Sequence, residues 1–236
     1  TVVRYPSRFI YFAISAMALF RFPLYRNKKI QFHKLLGCGK NGSFDIKPDW
    51  NQWAILVFMN ELPDLQNIDE KTADLHTILY GPFISKWWKR FSCETWTIAL
   101  ELIDGHGSWD GKKLFSDTKD IKKTAGPIAV LTRATIKLSK VGDFWQNVAP
   151  ISNQMKFASG LITSIGIGEM PLLRQATFSI WESMDHMKSF AYSMHEHREV
   201  IKKTRKEKWY SEEMFLRFRP VLSIGSLKGH NPFPMK

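Results

Sequence analysis

The sequence predicts an α+β protein built of duplicated ferredoxin-like modules, β-α-β-β-α-β twice, that form an α/β barrel of the dimeric type. Three observations predict it. Short strings recur in order: Thr1-Val2-Val3-Arg4 and Val130-Leu131-Thr132-Arg133 lie 129 residues apart, as do Gly37-Cys38-Gly39 and Gly166-Ile167-Gly168. Ala54–Phe58 matches Ala176–Ile180 at an offset of 122, and Phe91-Ser92-x-Glu94 matches Tyr210-Ser211-x-Glu213 at 119. The offset only shrinks, as shorter loops in a second copy require, and repeated units bury their apolar faces against one another. Finally, the apolar pattern in each half alternates between the strand and helix periods in the order of the ferredoxin-like motif.

Taken in order, Thr1–Tyr5 reads as a strand and Ser7–Phe20 as a helix. Strands follow at Phe32–Gly37 and Trp53–Met59, then a helix within Leu65–Phe91 and a strand at Thr95–Ile103. In the second half Ile128–Leu138 alternates around β-branched residues as a strand does, and Val141–Val148 reads as a short helix carrying Phe144 and Trp145. Gly160–Gly168 and Leu173–Trp181 are strands about a turn at Pro171. Asp185–Lys206 is a helix with an apolar stripe of Met187, Phe190, Met194, Val200 and Ile201, and Tyr210–Val221 closes the half. The expected organisation is an N-terminal half over 1–103, a linker rich in Gly, Asp and Lys over 104–125, a C-terminal half over 126–225 and a tail over 226–236.

Composition narrows the function. The 236 residues carry 34 Lys and Arg against 22 Asp and Glu, a net charge of +12, with 9 Trp and 17 Phe. Such a surface attracts nucleic acid, anionic lipid or an acidic protein. No nucleic-acid-binding motif accompanies it, so nucleic acid is not the expected partner. Cys38 and Cys93 are the only cysteines, which points to a reducing, cytoplasmic setting. Phe9–Phe20 is shorter than the ~20 residues that span a bilayer and reads as a buried helix. There is no P-loop, nucleophile elbow, Cys-x-x-Cys or paired-His zinc helix. The two Gly-x-Gly strings mark tight turns at strand ends.

His197 falls on the core-directed stripe of the Asp185–Lys206 helix, whereas His195 points away. An imidazole entering an apolar cavity from a helix suits an axial haem ligand; a core histidine bonded to backbone is the alternative. The first-half position equivalent to His197 falls in the window 75–78, which contains His76, so a first-half ligand stays open.

Several strings together resemble one family. They are Phe32-x-Lys34-Leu35-Leu36-Gly37-x-Gly39, Leu131-Thr132-Arg133-Ala134-Thr135, Phe144-Trp145 and Ile165-Gly166-Ile167-Gly168-Glu169-Met170-Pro171. Gln175–Trp181, His197-x-x-x-Ile201-x-x-x-Arg205-x-Glu207-x-Trp209 and Arg217-Phe218-Arg219 complete the set. They resemble the spheroidene monooxygenases, acyclic-carotenoid oxygenases, from residue 32 onward and most densely over 128–221. The resemblance implies a haem b enzyme that uses dioxygen and a ferredoxin-type electron donor to place hydroxyl and then keto groups near the end of a long apolar carotenoid. It also implies kinship with the dimeric α/β barrel haem proteins, which include chlorite dismutases and aldoxime dehydratases. These take the proximal His from the second helix of the C-terminal half, where His197 falls as the metal ligand.

The cofactor set expected around His197 is Trp181, Met194, Ile201, Lys34 and Arg133. Arg133 either pairs with a haem propionate or acts as a distal donor, and its repeat partner Arg4 raises the alternative of a structural salt bridge. Lys34 either reaches a propionate or is solvated. Arg174, with Arg133 the expected catalytic pair, begins its strand and tunes substrate choice. Cys38 sits at a turn where the family requires no thiolate. Glu94 and Glu213, present in both copies, are expected to be structural. An apolar substrate also implies contact with a membrane surface. Two other readings remain: a haem enzyme of this fold acting on a nitrogenous substrate by aldoxime-type N–O chemistry, and a haem or ligand-binding barrel without catalysis.

Overall fold

The computed structural model describes residues 1–40, 47–61, 72–115, 126–193, 203–204 and 206–235. The strands are β1 (Val2–Arg4), β2 (Ile30–Gly39), β3 (Pro48–Met59), β4 (Glu94–Gly107), β5 (Ile128–Ile136), β6 (Leu161–Met170), β7 (Arg174–Trp181) and β8 (Tyr210–Gly225). The helices are α1 (Ile10–Leu19), α2 (Arg21–Arg26), α3 (Thr72–Tyr80), α4 (Pro82–Arg90), α5 (Val141–Met155) and α6 (Met184–Ser193). Each half follows the β-α-β-β-α-β order, and the strands are hydrogen-bonded in the closed order β1-β3-β2-β6-β7-β5-β8-β4. The duplicated α+β barrel expected from the sequence is the fold observed.

The chain divides into two compact units that do not coincide with the sequence halves. Unit 1 comprises Thr1–Cys38, Asp49–Ala99 and Leu222–Lys236; unit 2 comprises Gly39–Pro48 and Leu100–Val221. The expected tail therefore belongs to unit 1. The expected linker begins as strand through Gly107 and continues as a tight turn, with antiparallel bridging between Trp109 and Lys112.

In unit 1, β1 lies between β3 and β4, with Val3 opposite Trp53 and Thr95. Val3 points to the helices, where Leu75, Leu79, Ile84 and Trp88 form the core with Ala13, Ala16, Phe20 and Leu24. Each such Leu or Ile contributes about 1.5–3 kcal/mol when fully buried. Two helices replace the single one expected within Leu65–Phe91, because Gly81 takes a φ of 89° and Pro82 starts the next helix. Phe9–Phe20 differs more. After a 3-10 turn at Ser7–Phe9 the helical path runs through α1 and α2 to Arg26. Only one side of it is buried, while Tyr11, Phe12, Ile14 and Phe22 face solvent, so the buried helix of the sequence reading is half exposed.

In unit 2 the sheet order is β6-β7-β5-β8, all antiparallel. One face packs on α5 and α6 through Ile128, Val130, Trp181, Met155 and Met187. A smaller cluster of Ile136, Phe144, Trp145 and Trp209 continues this core. Helix α5 runs seven residues beyond the expected Val148, through Pro150, and its last residue, Met155, is buried in the core. That burial offsets part of the backbone bond a mid-helix proline forgoes.

Candidate functional site

The sheet of unit 2 has a second face, and its chemistry differs from the first. Side chains alternate along β5, so Val130 faces α6 while Leu131, Arg133 and Thr135 face away. Register places Ala176 and Met214 opposite Arg133, Phe178 and Leu216 opposite Leu131, and Arg174 and Glu212 opposite Thr135. The second face is thus an apolar wall of Leu131, Ala176, Met214 and Leu216 ending in a charged cluster centred on Arg133.

Arg133 is 2% exposed. A buried guanidinium demands opposite charge and hydrogen-bond partners. Its Nη1 donates to Glu212, and its Nη2 lies 3.5 Å from Glu169 and 3.8 Å from Asp110. The Arg133 Cζ sits 5.2 Å from the Trp109 ring, whose Nε1 donates to Glu169 at 2.9 Å. Glu212 is itself anchored by Ser108 Oγ at 2.7 Å and by the backbone N–H groups of Gly111 at 2.8 Å and Asp110 at 3.1 Å. Burial alone would raise the Glu212 pKa, but these donors, led by Gly111 and joined by Arg133, outweigh it and bring the value down to about 2. The anchoring turn follows from sequence: Asp110 and Gly111 have φ values of 51° and 72°, the paired positive angles of a tight hairpin turn.

The same device stands in unit 1 at a constant offset of 118. Glu94 accepts bonds from Ser226 Oγ at 2.9 Å and from the N–H groups of Lys228 at 2.8 Å and Gly229 at 2.6 Å. Ser226 N–H donates to the Thr95 carbonyl, as Ser108 N–H does to Glu213. This corrects two pairings made from the sequence. The equivalent of Glu94 is Glu212, not Glu213. By register with Trp96 and Ala54, the equivalent of Arg133 is Val2, not Arg4, which instead pairs with Asp49 at 2.8 Å. Val2 gives Arg133 no charged counterpart, and among the described residues the charged cluster stands in unit 2 alone.

Other expected site residues are distributed as follows. Arg174 lies 3.8 Å from Asp110, so it joins the Arg133 cluster and remains partly exposed. Trp181 lies on the opposite sheet face, buried against Phe190 with its Nε1 donating to Ser179 Oγ at 3.0 Å. The sheet therefore separates Trp181 from Arg133 and Arg174, and the expected single constellation is two groups. Lys34 is on β2 in unit 1, its Nζ 5.5 Å from the Phe32 ring. His197, Met194 and Ile201 lie outside the described residues. His76, the open first-half candidate, is a buried core histidine: its Nε2 is 2.9 Å from Thr97 Oγ1 and its ring meets Trp88 edge-on. Burial first, then positive charge nearby, lowers its pKa to about 4, so it is neutral at pH 7.

Glu169, Glu212, Trp109 and Asp110 were not singled out from sequence. The Asp110-Gly111 dipeptide between Trp109 and Lys112 is a hairpin signal, and Glu169 lies within the Gly-Ile-Gly-Glu-Met-Pro string. As to a haem, Glu212, Glu169 and Asp110 already face Arg133, so a propionate there would be a fourth anion against the two guanidinium groups of Arg133 and Arg174. The propionate role expected for Arg133 does not fit; its buried Nε alone lacks a hydrogen-bond partner among the described residues. On the α6 side of the sheet Trp181, Met187 and Phe190 are apolar and aromatic and packed together in the unit 2 core.

The fold and the one-sided site define an α+β barrel protein with a duplicated scaffold and an unduplicated charged centre. No family model matches the chain. It is 34% identical over 224 residues to the spheroidene monooxygenase of Rhodobacter capsulatus, covering 94% of this chain and 89% of that protein. To the spheroidene monooxygenase of Cereibacter sphaeroides it is 35% identical over 205 residues, covering 86% of this chain and 60% of that protein. The corresponding enzyme of Rubrivivax gelatinosus is 32% identical over 199 residues, covering 84% and 72%. Among solved structures, a protein from Fusobacterium nucleatum assigned as a monooxygenase is similar over 95% of this chain and 93% of its own, with 10% identity and a TM-score of 0.41, too low to bear on function. The chain belongs to the spheroidene monooxygenase family. It is a monooxygenase, an oxidoreductase.

Proposed function

We propose that this monooxygenase is haem-dependent and oxygenates a long apolar, carotenoid-like substrate. The observation that carries the reading is identity to spheroidene monooxygenases over 94% of the chain. In this reading His197 would be the iron ligand, with Trp181, Met194 and Ile201 as further residues that would hold the cofactor. Haem, when bound, supplies the iron that activates dioxygen with electrons from a ferredoxin-type donor. The chain's own part is to orient the polyene, exclude water and keep charge away from the reacting carbon. Arg133, locked by Glu212 and Glu169, and Arg174 beside it lie on the face of the sheet opposite Trp181, so in this reading they steady the strands that carry the cofactor side rather than touch the reacting carbon. Since a polyene resides in lipid, the enzyme works against a membrane surface.

The test is an absorption spectrum of protein supplied with haem b, wild type beside His197→Ala, followed by turnover of a linear carotenoid under air with reduced ferredoxin. A Soret band in wild type that is lost or shifted in the variant, together with aerobic turnover, is expected. Failure of wild type to take up haem would overturn the reading.

A further inference from the structure

The helical path of α1 and α2 is apolar on both sides, which a soluble monomer's surface helix is not. One side is accounted for: Ala13, Ala16, Phe20 and Leu24 are buried in the unit 1 core. The other side presents Tyr11, 82% exposed, Phe22, 64% exposed, and Tyr25, 83% exposed, with Ile14 between them. Tyr11, Ile14, Phe22 and Tyr25 recur at helical spacing, so they form one stripe. The stripe widens toward α4. Phe12 stacks on Phe91 at 4.4 Å and meets Trp87 at 6.4 Å, and Trp87 meets the exposed Phe83 at 6.0 Å. Isolated exposed aromatics need no explanation, but a contiguous patch of this size marks a surface that meets something apolar.

The charges around it say what that is. No Asp or Glu occurs before Asp45, and none lies between Asp74 and Glu94, so α1, α2 and α4 carry cations only. Arg8, Arg21 and Arg26 flank the stripe on α1 and α2, and Lys86, Lys89 and Arg90 are exposed on α4. The Arg26 guanidinium lies 5.3 Å from the Phe22 ring, so charge and ring share one patch. Aromatic residues with a cationic border and no acid match the headgroup layer of an anionic bilayer, where ring and guanidinium are both satisfied. A second copy would set these cations against themselves.

We infer that the α1–α2 face, extended by Phe83 on α4, is the surface on which this enzyme docks to anionic membranes, lying in the headgroup plane. The placement rests on the reading above that the substrate is drawn from lipid, but the docking is measurable without haem or substrate. The helix lies on the bilayer rather than through it, because Ala13, Ala16, Phe20 and Leu24 are already committed to the protein core. Ser7–Arg26 has the length and composition of a membrane span, so the test must separate the two modes.

Flotation is run with vesicles of phosphatidylcholine alone and with added phosphatidylglycerol, for wild type, Y11S/F22S/Y25S, and R21E/R26E. Thermal melting and the Soret band on haem addition serve as folding controls. Wild type should float with anionic vesicles at low salt and be released near about 1 M salt, where screening is nearly complete. Both variants should lose at least tenfold in bound fraction while keeping their melting temperature and haem uptake. Undiminished flotation of either folded variant, equal binding to neutral vesicles, retention through high salt and alkaline washing, or a dimer in sedimentation that the triple variant abolishes would each overturn the proposal. Loss of haem binding with flotation intact would instead fault only the haem reading.

Discussion

A buried guanidinium persists only where counter-charge is held in place for it, and at Arg133 that work falls to Glu212. Replacing Glu212 with Gln leaves a buried cation short of its direct partner and should cost about 3 kcal/mol, at the low end for breaking a buried pair. The effect carries a pH signature. The folded-state pKa, about 2, lies below the ordinary 4.5 of the unfolded chain. The carboxylate's contribution is therefore complete above about pH 4.5 and disappears as pH falls through about 2. Melting curves of wild type and Glu212→Gln should be widely separated at pH 6 and converge toward pH 2; a gap independent of pH would refute the assignment. His76 acts in a higher window. Its folded pKa, about 4, is below the 6.5 of the free side chain, so its contribution is full above pH 6.5 and is lost as pH falls to about 4. His76→Gln should flatten stability over that interval and leave the Glu212 window unchanged, as scanning calorimetry from pH 7 to 2.5 would record.

The strands are the elements the sequence made most legible, because alternation of side chains marks a half-buried strand wherever it occurs. Their register was not. Matching Arg4 to Arg133 by shared letters slips the pairing by two residues, which preserves the sheet face and so escapes any test of burial pattern. Matching Glu94 to Glu213 slips it by one, which assigns the wrong face; the hydrogen bonds to Ser226 and Ser108 reveal the error. The charged site was legible only in part: Arg133 and Arg174 stood out as charges in apolar strands, whereas their carboxylate partners sit on turns and strand ends where charge is ordinary. Strand ends also carry a testable constraint. Gly107 closes β4 with a φ of 90°, and a Cβ there would lie 2.0 Å from the Glu213 carbonyl oxygen. Gly81, with nearly the same φ, has open space around it. Gly81→Ala should cost about 1 kcal/mol of backbone strain, while Gly107→Ala should cost several-fold more, since carbonyl and turn must both move. Equal losses in urea denaturation would show that steric closure of β4 is unimportant.

For the whole molecule, the boundaries of the compact units matter more than those of the sequence repeats. The sequence reading placed a linker over 104–125, where Gly, Lys and Asp are common, and a tail over 226–236. Yet residues 226–229 hold Glu94, Trp96 Nε1 donates to Ser223 Oγ at 3.0 Å, and Leu222 and Ile224 pack on the unit 1 core. Truncation after Val221 should therefore destabilise the far end of the sequence. Hydrogen exchange should show lost protection around Val3, Trp88 and Trp96, with β5 and β7 retaining theirs. Protection lost first in β5 would contradict this division.

Unit 1 is thus joined from segments that leave the ribosome far apart in time. At about 5–20 residues per second, residues 1–99 wait on the order of ten seconds for Leu222 to be made. Throughout that interval the nascent segment already carries its aromatic, cationic helices but lacks the strand that completes its core. Its exposed apolar surface is then at its largest, so this interval is when the chain is most open to aggregation.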